Sequence, residues 1–143
     1  MDYELWIQDY GLWIMDYGLF FLKNFMKKNN LIVEKTFDFS LKSIDLFKNL
    51  QDEKEFIISN QFLRCATSIG ANVNESISAI SKKDFIHKLS ISLKEARECK
   101  YWLLLLEKSN LFSNDLSLLL SEIESIIKIL TSIILSSNKN SNP

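Results

Sequence analysis

The sequence predicts an all-α protein, an elongated antiparallel up-down-up-down four-helix bundle, and three observations support this prediction. The chain has one proline and three glycines among 143 residues, so it holds few residues that interrupt helices. Apolar residues recur three and four positions apart through most of the chain, as on the buried face of an amphipathic helix. Short polar segments separate four such stretches, which favours consecutive helices packed side by side.

The first predicted helix covers residues 33–49 and carries two sets of apolar residues. One set has helical spacing and is predicted to face the core: Val33, Phe37, Leu41, Ile44 and Phe47. The other set forms a separate stripe: Phe39, Leu46 and Leu50. One core cannot easily bury both sets, so the stripe is a candidate surface for self-association.

The second predicted helix covers residues 55–81. Its apolar arc is predicted to face the core: Phe62, Leu63, Ala66, Ile69, Gly70, Val73, Ile77 and Ile80. Nearly opposite runs a polar seam: Gln61, Arg64, Ser68, Asn72 and Glu75. The seam is either a solvated face or a set of hydrogen-bonding groups that meet a neighbouring helix or subunit, and we assign Glu95 and Glu98 of the next helix to it.

The third predicted helix covers residues 84–109, after a hinge in which Ser81 or Asp84 is expected to cap it. Its predicted core face holds Phe85, Ile86, Leu89, Leu93, Ala96, Leu103 and Leu104, with Ser92 and Cys99 at the margin. A second apolar face holds Ile91, Trp102, Leu105 and Leu106, and the first three of these are further candidates for a subunit interface. A basic strip of His87, Lys94, Arg97, Tyr101 and Lys108 runs along a third face.

The fourth predicted helix covers residues 114–136, with Ser113 or Asn114 as its expected cap. Its apolar arc is the plainest in the chain: Leu116, Leu119, Leu120, Ile123, Ile126, Ile127, Leu130, Ile133 and Ile134. Residues 138–143 are polar and cannot bury apolar area, so we expect a disordered tail there. The bundle itself is predicted to occupy residues 26–137.

The first 25 residues contain a seven-residue repeat: MDYELWI, QDYGLWI and MDYGLFF. A seven-base DNA unit, ATGGATT, read in triplets encodes Met-Asp-Tyr-Gly-Leu-Trp-Ile and then recurs in frame. We therefore predict that this extension is translated repeat DNA, outside the fold and upstream of a start at Met26. The alternative is an amphipathic segment that binds a membrane surface or a partner through Trp6, Trp13, Phe20 and Phe21.

The composition argues against several classes of function. A net charge of −1 is unlike that of a general polyanion binder. The one histidine, His87, and the two cysteines, Cys65 and Cys99, lack metal-ligand spacing, so we expect no metal, no cofactor and two buried free thiols. No catalytic combination of residues is present, although a site assembled between subunits stays open. No stretch is apolar enough to span a membrane, and a cytoplasmic protein is expected.

Two motifs in the central helices resemble a known family. They are R-x-A-x-S-I-x-A-N-x-x-E, from Arg64 to Glu75, and K-E-A-x-E-x-x-Y-W-L, from Lys94 to Leu103. Across residues 31–135 the chain resembles the four-helix-bundle proteins encoded in intervening sequences of bacterial large-subunit ribosomal RNA genes. That family is similar to the accessory variability determinant proteins of diversity-generating retroelements. The family-typical positions are Arg64, Ser68, Asn72, Glu75, Lys94, Glu95, Glu98 and Trp102.

The resemblance implies a homo-oligomer, a ring of five subunits, and a partner that is RNA or a reverse-transcriptase-like nucleoprotein. Together with the basic strip, it predicts a non-catalytic oligomeric adaptor that binds structured RNA or a nucleoprotein. The candidate nucleic-acid contacts are Arg64, Lys82, Lys83, Lys94, Arg97, Tyr101 and Lys108. The competing interpretation of these residues is that Lys94 and Arg97 pair with Glu98 and other carboxylates on a solvated face. The alternative function is a protein-only scaffold without nucleic acid.

Overall fold

The computed structural model describes residues 18–139, which form four helices and no strand. The helices are α1, Gly18–Asp52, α2, Ile57–Ile77, α3, Lys82–Lys108, and α4, Ser117–Lys139. At about 1.5 Å per residue, α3 is about 40 Å long, so the bundle is elongated. The predicted all-α four-helix bundle is confirmed.

The helices are arranged in a cycle that follows the chain. Each packs against its neighbour in sequence, and α4 closes the bundle on α1. As a result α1 and α3 lie at opposite corners of the bundle. Ion pairs join three of the four neighbouring helix pairs along the edges of the core: Lys42 with Glu122, Lys100 with Glu124, and Lys88 with Glu75.

The core has a seven-residue repeat in every helix, because its buried positions alternate three and four residues apart, as expected for nearly parallel packed helices. In α1 these positions are Ile32, Thr36, Phe39, Ser43, Leu46 and Leu50. In α2 they are Ser59, Phe62, Ala66, Ile69, Val73 and Ser76, and Cys65 next to Ala66 is buried as well. In α3 they are Phe85, Leu89, Ser92, Ala96, Cys99, Leu103 and Leu106. In and just before α4 they are Leu116, Leu119, Ile123, Ile126, Leu130, Ile133 and Ser137.

The two apolar sets of α1 are the reverse of the prediction. Phe39, Leu46 and Leu50 are buried in the core, whereas Phe37 and Leu41 are 60% and 50% exposed. The sequence interpretation failed because two core positions of α1 are polar. Thr36 and Ser43 donate to the carbonyls of Ile32 and Phe39, each at 2.7 Å, so their hydroxyls are satisfied within the helix. Phe39, Leu46 and Leu50 therefore cannot form a subunit interface.

Smaller corrections apply to α2 and α3. Ile80 was predicted to face the core but is 92% exposed, because α2 ends at Ile77 and Ile80 lies in the hinge. In α3 Leu104, predicted to face the core, is 37% exposed, whereas Leu106, predicted on the second apolar face, is buried in the core. Leu93 is partly buried against the core.

The helix ends explain most of the boundary differences. Ser81 caps α3 by accepting from the Asp84 amide at 3.0 Å, and Asp84 accepts in return from the Ile80 amide at 3.2 Å, so the predicted cap is confirmed. For α4 the predicted cap was wrong. Asp115 accepts from the Ser117 amide at 2.9 Å, so the helix begins at Ser117.

The extension and the tail are described only in part. The structure has α1 beginning at Gly18 rather than at residue 33, and α4 continuing to Lys139 rather than ending at residue 136. Residues 1–17 and 140–143 lie outside the described residues. The origin of the seven-residue repeat and the domain boundary at Met26 therefore stay predictions.

Candidate functional site

The polar seam of α2 meets α3. The Arg64 guanidinium pairs with the Glu98 carboxylate, and its Nη1 lies 3.4 Å from Glu95 Oε2. The Trp102 indole Nε1 donates to the same Glu98 carboxylate at 3.2 Å. Arg64 therefore satisfies two carboxylates of the neighbouring helix, and Glu98 in turn orients an indole ring.

The remaining seam residues divide between the two interpretations. Glu75 accepts from Lys88 Nζ of α3 at 2.8 Å. Ser68 Oγ and Asn72 Nδ2 donate instead to carbonyls of their own helix, those of Arg64 at 2.7 Å and of Ser68 at 2.8 Å. Gln61 is exposed at the surface. The seam thus bonds to α3 at Arg64 and Glu75, whereas Ser68 and Asn72 between them donate hydrogen bonds to carbonyls of α2.

The basic strip lies on the outward face of α3. Lys94, Arg97 and Lys108 are exposed, and Tyr101 between them is 56% exposed. Within the described part of the chain, neither Lys94 nor Arg97 forms an ion pair. Lys108 pairs with the adjacent Glu107 at 3.4 Å in an exposed contact, which contributes little. Glu95 and Glu98 pair with Arg64 instead, and the structure shows no ion pair of Lys94 or Arg97 with Glu98.

The other predicted nucleic-acid contacts differ from these. Arg64 has its guanidinium committed to Glu95 and Glu98, so it belongs to the seam. Lys83 is exposed at the start of α3, and Lys82 beside it is half-buried. Burial lowers the pKa of Lys82. At about 1.5 Å per residue, Lys83 lies about 16 Å along the helix from Lys94, so the cations occupy two groups on α3.

Two apolar stripes border the bundle. Ile91, Trp102 and Leu105 are partly buried, and Ile91 and Leu105 lie seven residues on either side of Glu98, so they share the edge of α3 next to α2. The α1 stripe comprises Phe37, Leu41 and Ile44, and Phe37 and Leu41 are its exposed members. These three residues of α1 belong to the apolar set that the sequence pattern predicts to face the core. The seven-residue repeat of the buried positions is the signal that would have identified them.

The described chain offers little for catalysis or metal binding. His87 is exposed on α3, and residues 18–139 contain no group of three or more metal-ligating side chains. Cys65 and Cys99 are free and buried. Burial and a hydrogen bond with Cys65 raise the pKa of the Cys99 thiol, which keeps it protonated and unreactive. None of the four helices is both long and apolar enough to cross a bilayer.

Comparison with known proteins identifies the family. A search of curated proteins found no match. A crystal structure of a protein of unknown function from the S23 ribosomal protein family of Bacteroides thetaiotaomicron is 41% identical in sequence, with a TM-score of 0.72. That match covers 75% of this chain and 97% of the other. The profile of the 23S rRNA-intervening sequence protein family matches residues 28–132. The chain therefore belongs to the 23S rRNA-intervening sequence protein family.

Proposed function

We propose that this protein is a non-catalytic, self-associating adaptor that binds structured RNA, alone or within a nucleoprotein, through the basic strip of α3 in the cytoplasm. One observation is the main support. Lys94 and Arg97 are exposed and have no carboxylate partner among the described residues, while the carboxylates nearest in sequence, Glu95 and Glu98, bind Arg64. Two cations without internal partners remain free to neutralise phosphates.

The low net charge does not oppose this proposal, because charge is distributed unevenly around the bundle. On α3 the carboxylates Glu95 and Glu98 lie towards α2, where they bind Arg64. Lys94, Arg97 and Lys108 remain on the outward face. A polyanion that approaches this face meets the cations first, although the whole chain carries a formal charge of −1.

Self-association completes the proposal, since one strip of a few cations binds RNA weakly. The stripe of Phe37, Leu41 and Ile44 and the stripe of Ile91, Trp102 and Leu105 lie on α1 and α3, at opposite corners of the bundle. When one copy's α1 stripe packs on the next copy's α3 stripe, the contact is head-to-tail, and such contacts form a ring when the rotation between copies closes. A ring of five, which the family resemblance implies, would present five basic strips and gain affinity by multivalency.

RNA binding is tested by charge reversal. Fluorescence anisotropy with a labelled RNA hairpin, near 50 mM salt, should show binding by the wild type. The double variant Lys94→Glu/Arg97→Glu should lose at least roughly tenfold in affinity. The control Lys128→Glu/Lys139→Glu makes the same change in net charge at exposed lysines of α4. No wild-type binding, or equal losses in the two double variants, would refute RNA binding through this strip.

Self-association is tested separately by light scattering. The wild type should exceed the monomer mass at micromolar concentration, and Phe37→Asp/Leu41→Asp should dissociate it because charge at a desolvated apolar contact is costly. The control is Leu118→Asp, at an apolar residue of α4 that is 61% exposed. A monomeric wild type would contradict the whole assembly, whereas a dimer would contradict only the ring.

A protein-only scaffold is the second candidate, and the α1 stripe favours it. Glu34, Asp38 and Asp45 flank Phe37 and Leu41 on the exposed side of α1 and outnumber Lys48 there, so this face is net negative, opposite to the basic strip. In this function the cations would bind acidic protein surfaces. The hairpin titration separates the two candidates, because the scaffold shows no RNA affinity while its mass in light scattering stays oligomeric.

A further inference from the structure

Tyr101 has an unusual position within the basic strip. Its ring is 56% exposed, and Arg97 lies one helical turn before it on the same face of α3. Lys94 and Lys108 lie seven residues on either side, about 10 Å away along the helix axis. A flat aromatic surface is thus placed between cations that can bind phosphates.

The ring of Tyr101 is also held by its neighbours. It makes an edge-to-face contact with Trp102, with ring centroids 5.2 Å apart and an interplanar angle of 67°. Trp102 is in turn fixed by the hydrogen bond to Glu98, which Arg64 binds from α2. This series of contacts links the polar seam to the basic strip. An aromatic ring that is already oriented loses little conformational entropy when a ligand stacks on it.

From this arrangement we infer that an unpaired RNA base stacks on the Tyr101 ring while Arg97 and Lys94 hold the flanking phosphates. This inference rests on the RNA binding proposed above and specifies which part of the RNA is bound. In a duplex the flat faces of the bases are covered by their stacked neighbours, so only loops, bulges and single strands can offer one to an aromatic side chain. The strip therefore selects RNA with unpaired nucleotides over a continuous duplex.

A different role for Tyr101 would leave a different mark. If its hydroxyl donated to a phosphate, the contact would serve duplex and loop alike, and it would be lost in Tyr101→Phe. Stacking needs only the ring, so Tyr101→Phe keeps it and Tyr101→Ala removes it. The pair of variants separates the two roles.

The test uses the full-length protein and two labelled RNAs, a hairpin with an eight-nucleotide unpaired loop and a blunt-ended duplex with the sequence of its stem. Wild type should bind the hairpin more tightly than the duplex. Tyr101→Ala should weaken hairpin binding by roughly 5- to 100-fold and leave duplex binding unchanged. Tyr101→Phe should bind the hairpin within about twofold of wild type. Leu118→Ala, at an exposed apolar residue of α4, should change neither affinity.

The outcomes distinguish this inference from the proposal beneath it. Equal wild-type affinity for the two RNAs, an equal loss on both in Tyr101→Ala, or a loss in Tyr101→Phe would overturn stacking. If Lys94→Glu/Arg97→Glu weakens binding and Tyr101→Ala does not, the basic strip binds RNA without a stacked base. If neither variant weakens binding, both the strip and the stacking are wrong.

Discussion

Replacing Phe39 and Phe37 separately by alanine tests the packing of α1, because the two phenylalanines lie two residues apart on opposite sides of the helix. Phe39 is 0% exposed in the core and Phe37 is 60% exposed. A buried phenylalanine removes roughly 150 Å² from water, which at ~25 cal/mol per Å² is worth about 4 kcal/mol. Phe39→Ala should therefore cost about 3–5 kcal/mol, including the cavity that it leaves. Phe37→Ala should cost less than about 0.5 kcal/mol.

Urea denaturation followed by circular dichroism at 222 nm measures both changes. Phe39→Ala should lower the midpoint and leave the slope unchanged, and in thermal melts it should lower Tm by more than about 10 °C. Since Phe37 belongs to the proposed subunit interface, each variant should be unfolded at two protein concentrations. Destabilisation through lost association depends on concentration, whereas a cavity in the core does not. A larger concentration-independent loss in Phe37→Ala than in Phe39→Ala would refute the assigned core face.

Three other changes test separate parts of the structure. Glu55 begins α2 by accepting from the amides of Ile57, Ile58 and Ser59 at 2.7–3.1 Å. Burial opposes ionisation of Glu55, but these hydrogen bonds outweigh burial and lower the pKa of its carboxyl group. The ionised carboxylate therefore stabilises the folded state above the unfolded pKa of about 4.3, and this stabilisation is lost as the pH falls through the lower folded pKa. Glu55→Gln should flatten that acid dependence in urea titrations, and an unchanged pH profile would contradict the cap. Gly70→Leu should lower the free energy of unfolding by at least about 1–3 kcal/mol, because even a Cβ at Gly70 would lie 3.3 Å from the Thr36 carbonyl oxygen of α1. The control Ala71→Leu, on the exposed side of α2, should leave stability nearly unchanged. A protein that starts at Met26 should melt within a few degrees of the full chain, and a larger loss would show that the repeat contributes to the fold.

The accuracy of sequence reasoning differed between helices for a physical reason. In α4 the apolar residues are numerous and one side is almost wholly polar, so the arc was assigned well and includes Leu119, Ile123, Ile126 and Leu130 of the core. In α1 two positions of the core repeat are polar, Thr36 and Ser43, while several apolar residues lie outside the core. The apolar pattern of α1 therefore does not follow its buried face. Periodicity cannot recognise a hydroxyl that is satisfied by its own helix.

The candidate site was predictable in its residues and not in its pairings. The spacing of Arg64 and Glu75 placed both on one edge of α2, and the motif around Glu95 and Glu98 marked α3. The sequence could not show which cations those carboxylates bind, because that depends on the relative rotation and height of two helices. The structure pairs Arg64 with both of them, and Lys94 has no ion-pair partner among the described residues.

The salt dependence of RNA binding tests the proposed function most directly. The logarithm of the association constant for the hairpin should fall linearly with the logarithm of salt concentration between 50 and 200 mM, with a slope set by the number of neutralised phosphates. Lys94→Ala/Arg97→Ala should reduce the magnitude of that slope by about 1.4–1.8 for each strip that contacts the RNA. Lys128→Ala/Lys139→Ala should leave it unchanged. A slope that is the same for wild type and Lys94→Ala/Arg97→Ala would show that these cations do not contact phosphates, which would contradict RNA binding through the basic strip.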